Sequence, residues 1–372
     1  MGNKRKVRSC QRSRALKQDS SNRLHRQICL GIEQEEYNRI WHDAQKVREL
    51  VDQQMMKSPE LFPVAMREKG YILTGHLPES KKMPGIRLRQ VRVGKKRYTL
   101  RPSFVMGYMS GTVDALDSPL FLLSIGVPAW AITRVFGRND LYWHRQLERL
   151  GRNSLVGTTV SSREYLPEHI AADEHHARWC GQKGYVAMTV GSGCILGMGL
   201  SQGADEENLK KAYGDFKEEA TFLDDTYEVT TVNIDGWTAT KNVFLALFPT
   251  ITVIRCFFHG FLKIRDRCRK EHDLHERVWD VYRAETAETF KAGMGQLLKW
   301  MNERSWPNAV QQAVEKLAKR ESEYAKSYSH PQCLRTSNMV DRLMNRLTRS
   351  LYDGRGLHGH QQSSQLRLRG WA

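Results

Sequence analysis

The chain has 372 residues, a formal net charge of +17 and a sequence pI of about 9.6. This length allows two or three domains, and the charge predicts a polyanionic partner, nucleic acid first, because basic surfaces bind phosphate backbones whatever their sequence. The apolar stretches are too short for a membrane span, the N-terminus lacks the apolar core of a signal peptide, and the seven cysteines contain no Cys-x-x-Cys pair. We therefore expect no membrane partner and a reducing, cytoplasmic setting.

The first part of the chain is basic and then helical. Residues 1–30 are a polar, positively charged segment, either a solvated flexible arm or an arm that binds DNA. Residues 31–69 carry apolar side chains at helical spacing, and Pro59 and Pro63 end that element. We predict that residues 31–150 form one N-terminal DNA-binding region.

Residues 86–104 alternate apolar and basic side chains around a turn at Gly94 and Lys95, which predicts a β-hairpin. Nine lysines or arginines and no acid lie between residues 81 and 101. A solvated positive face is one interpretation, and a ribbon that grips DNA phosphates is the other, which we favour. The DNA-contacting residues of this ribbon are then Arg87, Arg89, Arg92, Lys95, Lys96 and Arg97.

Residues 113–150 have the pattern of a helix-turn-helix. Pro128 begins a short helix, Gly137 makes a tight turn, and Asn139 or Asp140 caps the following helix. In a DNA-binding motif this second helix enters the major groove, whereas an ordinary helical hairpin has the same pattern. The candidates for base contact are Arg138, Asn139, Tyr142 and Arg145.

Residues 151–165 are rich in glycine, serine and threonine and predict a linker. From residue 166 the pattern changes to "EHIAADEHH", two strands joined through Gly191-Ser192-Gly193, an amphipathic helix, and then strand, helix and strand. Residues 262–333 are charged and helical. This order predicts a mixed α/β fold, with a ribonuclease-H-like catalytic domain over residues 166–372 and an all-α insertion at 262–333.

Three acids are candidate metal ligands. Phosphodiester chemistry on such a sheet needs carboxylates on rigid elements that hold two divalent cations. Asp173 ends the first predicted strand, Asp235 ends a later one, and Asp341 lies in the first turn of a basic helix. Simpler interpretations are a solvated loop acid, a helix N-cap and a salt-bridged helix residue, respectively. Asp353 is the alternative to Asp341.

The ordered motifs "ADEHH", "VNIDGW", "RCFFHGF" and "TSNMVDRLMNRL" resemble insertion-sequence transposases with a DDE/D catalytic domain. The resemblance is closest to the Mutator-like branch, which carries a Cys/Asp-x-x-His motif, and covers about residues 165–361. It implies that Asp173, Asp235 and Asp341 hold two Mg²⁺ or Mn²⁺ ions, although the third position is more commonly Glu. It also implies that His259 contacts the scissile phosphate or a flipped nucleotide, with Cys256 packed beneath it.

The alternatives for Cys256 and His259 are a zinc site, a Cys/His nucleophilic pair, and a buried cysteine beside a surface histidine. For the whole chain, the resemblance implies an endonuclease and strand-transfer enzyme that acts on transposon ends and target DNA. It would work as a homo-oligomer on DNA and be nucleoid-associated. Two other functions stay open: an inactive DNA-binding regulator descended from a transposase, and a ribonuclease or junction resolvase. The chain stops at "LRLRGWA", where similar proteins continue, so we expect a weakly supported last helix.

Overall fold

The computed structural model describes residues 26–57, 59, 62–79, 83–107, 111–152, 154–160, 162–353 and 356–372. Most of the predicted basic arm, Lys81, Lys82 and the side chain of Asp353 lie outside the described residues. The chain divides into two units, Met1–Arg152 and Asn153–Ala372, each with one β-sheet, so the fold is mixed α/β as predicted. Among the described residues, no helix combines the length and apolar character needed to cross a bilayer.

The first unit is built on a four-stranded sheet of order β1-β4-β3-β2, in which only β1 and β4 are parallel neighbours. Trp41, Val47 and Leu100 belong to the core of this unit. Its described elements are β1 (Gln27–Leu30), α1 (Gln34–Ile40), α2 (Ala44–Lys57), α3 (Val64–Lys69), β2 (Ile72–His76), β3 (Arg89–Val93), β4 (Lys96–Pro102), α4 (Val113–Ser124), α5 (Ala129–Phe136) and α6 (Asp140–Leu150).

The predicted basic hairpin is confirmed as β3 and β4, which are antiparallel and turn at Gly94 with φ of 57°. Arg89 corrects the prediction for this ribbon. It is only 6% exposed, and its guanidinium donates to the carbonyls of Trp41 at 2.8 Å and His42 at 2.9 Å, so it joins the sheet to a helix end and cannot reach a phosphate. The exposed members of the predicted set are Arg87, Arg92, Lys95, Lys96 and Arg97.

The predicted helical pair is present as α5 and α6, preceded by α4. Pro128 is the N-cap of α5, and Gly137, with φ of 74°, ends it. Asn139 caps α6 by accepting a hydrogen bond from the Tyr142 backbone N–H at 2.8 Å. Arg138 lies over the Tyr142 ring, 5.4 Å from its centroid, and Arg145 is exposed.

The second unit is built on a five-stranded sheet of order β7-β6-β5-β8-β9. Strands β5, β6 and β7 are successively antiparallel, and β8 and β9 run parallel to β5. The described strands are β5 (His169–Trp179), β6 (Gln182–Gly191), β7 (Cys194–Ser201), β8 (Thr231–Ile234) and β9 (Thr252–Arg255). The helices are α7 (Leu155–Thr159), α8 (Glu206–Leu223), α9 (Thr238–Leu247), α10 (Phe257–Arg265), α11 (His272–Tyr282), α12 (Ala287–Asn302), α13 (Asn308–Ala318), α14 (Glu321–Ala325), α15 (Asn338–Asp353) and α16 (Gln361–Trp371).

The two faces of this sheet carry different helices. On one face, Ile170 and Val232 pack with Phe216 of α8 and Phe244 of α9 in a large apolar core. A Cβ at Gly199 of β7 would collide with the backbone of α8, so this glycine permits close packing. Helix α15 packs against β5 and β6. The segment predicted as an all-α insertion is helical, forming α11 to α14, and these helices share an apolar core with residues of α10.

Two predictions about the ends of this unit are wrong. The segment predicted as a linker contains α7, and Val156 and Val160 are buried in the core with Phe216, so apolar packing makes it part of the unit. The last helix, α16, is well supported. The Gln365 side chain donates to Met198 O and accepts from Leu200 N, both at 2.6 Å, and so pairs with the edge of β7.

Candidate metal centre

Asp173 lies inside β5 rather than at its end, because the strand continues to Trp179. Successive strand residues face opposite sides of a sheet, and the next residue, Glu174, faces α8 and α9 through hydrogen bonds to Tyr213 and Thr240. Asp173 therefore faces the side on which α15 packs. The interpretation of Asp173 as a solvated loop acid is wrong.

Asp235 follows β8 directly, as predicted. Ala171 of β5 pairs with Asn233 of β8, and the same register continued by two residues sets Asp235 beside Asp173 on one face of the sheet. Asp235 Oδ1 accepts a hydrogen bond from the Trp237 backbone N–H at 2.7 Å. The N-cap of α9 is Trp237, so the helix-capping interpretation of Asp235 is wrong.

Asp341 lies in the first turn of α15, as predicted. Its Oδ2 accepts a hydrogen bond from Ser337 Oγ at 3.2 Å, which fixes the carboxylate at the start of the helix. Within the described part of the chain, Asp341 forms no salt bridge, although Arg342 and Arg346 follow on the same helix. The interpretation of Asp341 as an ordinary ion-paired helix residue thus lacks its ion pair.

The structure brings Asp173, His259 and Asp341 together, with one potential ligand atom of each lying within 4.8 Å of the others. All three side chains are partly buried. The predicted ligand set contained Asp235 where this compact group has His259. Asp235 stands at its edge, close enough for its charge to act on Asp173. The centre therefore offers two carboxylates and an imidazole, with a third carboxylate adjacent.

Cys256 and His259 are held by Ser337. The Ser337 backbone N–H donates to Cys256 Sγ at 3.2 Å, and Ser337 Oγ lies 3.3 Å from that sulfur and 3.2 Å from His259 Nδ1. These contacts tie the start of α10 to the start of α15, so they also set the separation of His259 and Asp341. Nothing in the sequence signals that Ser337 meets a motif 81 positions away.

The burial of Cys256 decides between two alternatives for the motif. The residue is fully buried, so its sulfur is out of reach of a substrate and cannot serve as a nucleophile. His259 is partly buried inside the carboxylate group, which excludes the interpretation as an isolated surface histidine. A structural zinc site would need further thiolate or imidazole ligands, and the compact group supplies neither beyond His259.

The acids and the imidazole of the centre shift one another's pKa values. Burial raises the pKa of Asp173 to about 6; the Glu174 backbone N–H opposes the shift. The charges of Asp235 and Asp341 raise the pKa of Asp173 further. Hydrogen bonding with Cys256 raises the pKa of His259 to about 9 against its burial, and the two aspartates add to the rise. Burial would raise the pKa of the Cys256 thiol, but hydrogen bonds with His259 and Ser337 outweigh it and lower that pKa.

No protein-family model matches the chain, and a search of curated proteins also finds no match.

Proposed function

We propose that the chain is a DDE/D-type DNA transposase that cuts DNA and transfers the freed strand. The observation that carries the proposal is the convergence of Asp173, His259 and Asp341 within 4.8 Å, with Asp235 beside them. The sheet supports it, because the order β7-β6-β5-β8-β9, with three antiparallel strands followed by two parallel ones, is compatible with the ribonuclease-H-like domain that the sequence predicts. Such folds carry many functions, so the proposal rests on the site.

The residues of the centre fit a divalent cation. Carboxylate oxygens suit Mg²⁺ and Mn²⁺, and an imidazole is more compatible with Mn²⁺. The raised pKa of Asp173 indicates partly desolvated acids that repel one another, a cost that a bound cation would remove. We assign Asp173 and Asp341 as ligands, with His259 or Asp235 completing the set. A bound cation would supply nucleophile activation and charge stabilisation at the scissile phosphate.

His259 and Ser337 set the charge and geometry of the centre. Without a cation, the raised pKa keeps His259 protonated at neutral pH, and its charge balances the carboxylates. To act as a ligand His259 must release that proton, so metal binding is coupled to proton release. Ser337 orients both His259 and Asp341 through one hydroxyl.

The first unit would bind DNA without taking part in the chemistry. The exposed cations of the β3–β4 hairpin suit phosphate contacts, and Arg145 in the middle of α6 and Asn139 at the N-cap of that helix suit base contacts. Double-stranded DNA is the expected partner, with transposon ends and target DNA bound by a homo-oligomer.

The proposal is tested by nicking of supercoiled plasmid in Mg²⁺ or Mn²⁺, with EDTA as the blank. Asp341→Ala is expected to abolish nicking while plasmid binding persists. Asp225→Ala removes an exposed acid outside the centre and serves as the matched control. DNA binding with no metal-dependent nicking by the unaltered protein would indicate the inactive regulator instead. Cleavage confined to RNA–DNA hybrids or branched DNA would indicate a ribonuclease or resolvase.

A further inference from the structure

A cavity of about 370 Å³ opens beside the candidate metal centre in the second unit. Asp235 lines it, together with residues of β9, α10 and the turn after it, α13, α14 and the turn between those two helices. Five positively charged side chains surround it: Arg255, Lys263, Arg267, Lys316 and Arg320. They outnumber the one lining acid and come from separate elements, so the positive charge belongs to the concavity rather than to one solvated helix face.

The wall of this cavity depends on close helix packing. A Cβ at Gly260 of α10 would lie 2.5 Å from Leu317 Cδ1 and 3.0 Å from the Tyr324 hydroxyl, so α10 packs closely against α13 and α14 at this glycine. Arg255 forms the inner wall, with an ion pair to Glu323 at 2.8 Å and its guanidinium against Gly236. The inner part of the cavity is thus fixed by packing beside Asp235.

The four outer cations are not neutralised by neighbouring acids. All four are exposed, and no salt bridge within the described residues involves any of them. Like charges around one concavity repel one another, and the field they focus raises the local concentration of anions. Arginine and lysine together suit phosphate oxygens, the first by paired N–H groups and the second as a point charge.

We propose that this cavity binds a backbone phosphate of the DNA strand adjoining the bond that is cut, an inference that rests on the proposed function. Asp235 connects the two sites, because it lines the cavity and also stands beside Asp173. A phosphate among Lys316, Arg320 and Lys263 would hold the strand in register with the carboxylates. Positioning of this kind is a large part of phosphoryl-transfer catalysis.

The test measures how the affinity of the full chain for DNA depends on salt concentration, in the presence of EDTA. Fluorescence anisotropy of a labelled 20-base-pair duplex of arbitrary sequence reports the binding. Each phosphate contact to duplex DNA contributes about 0.9 to the slope of log K against log salt concentration. The Lys316→Gln/Arg320→Gln double variant removes two of the side chains that hold the one proposed phosphate, so it is expected to lower that slope by about 0.9. The control is Lys299→Gln/Lys319→Gln, which removes two exposed lysines of the same helical insertion that do not line the cavity.

Equal slopes for the two double variants would overturn the proposal, and so would a cavity variant whose slope matches that of the unaltered chain. All four substituted side chains are exposed, and equal unfolding temperatures show that both variants are folded. The result is independent of cutting. Asp341→Ala is expected to keep the full slope of the unaltered chain. A failure of the metal-centre proposal would therefore appear in the nicking assay, whereas a failure of the cavity proposal would appear in the salt slope.

Discussion

Two neighbouring acids of β5, Asp173 and Glu174, face opposite sides of the same sheet and have different surroundings. Glu174 lies under α8 and α9, is 8% exposed, and accepts hydrogen bonds from the Tyr213 hydroxyl at 2.7 Å and the Thr240 hydroxyl at 2.6 Å. Asp173 lies on the α15 side. Within the described structure it accepts one hydrogen bond, from the backbone N–H of Glu174 at 2.8 Å. Asp235 and Asp341 are nearby.

The difference separates an acid that joins elements of the fold from one that we propose as a metal ligand. Glu174 joins β5 to two helices through neutral hydroxyl donors, so it is satisfied without any further group. Asp173 is partly buried with Asp235 and Asp341 nearby; burial first, and then these two charges, disfavour its ionised form against the opposing charge of His259. Burial raises the pKa of both acids, so burial alone does not identify the functional one; the neighbours do.

The largest expected effect is on the α15 side. Asp173→Asn keeps the shape of the side chain and removes one ligand charge, and we expect plasmid nicking to fall by about 1,000-fold, since a bound metal contributes several kcal/mol to such reactions. The unfolding temperature should not fall, because a buried charge is removed. Nicking at the unaltered rate would place the functional acids elsewhere.

The next largest effect is expected on the face of the sheet that α8 and α9 cover. Glu174→Ala leaves the hydroxyls of Tyr213 and Thr240 without their acceptor in a buried site, which is expected to cost about 1–3 kcal/mol of unfolding free energy. Urea denaturation measures this cost. A stability equal to that of the unaltered chain would show that Glu174 does not join β5 to its helices.

Ser337 is the residue that links the motif to the third acid. Ser337→Ala removes the hydroxyl shared by His259 and Asp341, and partners of metal ligands typically contribute about 10- to 100-fold in metal affinity. We expect Mn²⁺ affinity to fall by about tenfold, at the low end of that range, because the ligands themselves remain. Calorimetric titration with Mn²⁺ provides the measurement, and unchanged affinity would show that the Ser337 hydroxyl does not position the metal ligands.

The smallest effect is a change in pH dependence. Burial raises the pKa of Glu174 to about 7, so between its ordinary pKa of 4.5 and about 7 the folded state holds a proton that the unfolded state has released. Its contribution therefore lowers stability as pH rises through that window. Glu174→Gln cannot ionise, and its stability relative to the unaltered chain should be higher at pH 8 than at pH 5. Thermal unfolding at both pH values measures this. An equal difference in stability between Glu174→Gln and the unaltered chain at pH 5 and at pH 8 would contradict the prediction.

Local patterns in the sequence predict much of this fold. The hairpin at Gly94, the cap at Asn139, the β8–α9–β9 order and the helical insertion depend on periodicity and turn residues, which act over a few positions. The linker prediction fails because "SLVGTT" has the composition of a loop, although Val156 is buried by tertiary packing. The DNA-contact prediction for Arg89 fails for the same kind of reason. Its guanidinium donates to backbone carbonyls at a helix end that is far away in the sequence.

The candidate site shows the same division. Motif order identifies Asp173, Asp235, Asp341 and His259, but which of them meet depends on the register of β5 with β8 and on where α15 packs. Neither can be read from single stretches of sequence. Ser337 and Glu174 have no sequence signal beyond position, because their roles come from partners on other elements.

Direct measurement of cation binding tests the central claim, that Asp173 and Asp341 hold a divalent metal together. Calorimetric titration with Mn²⁺ would compare the unaltered chain, Asp173→Asn, Asp341→Ala and the neighbouring control Glu174→Gln. We predict that the two aspartate variants lose at least about tenfold in affinity while Glu174→Gln binds as the unaltered chain does. Equal affinity in all four proteins, or no Mn²⁺ binding by the unaltered chain, would contradict the account.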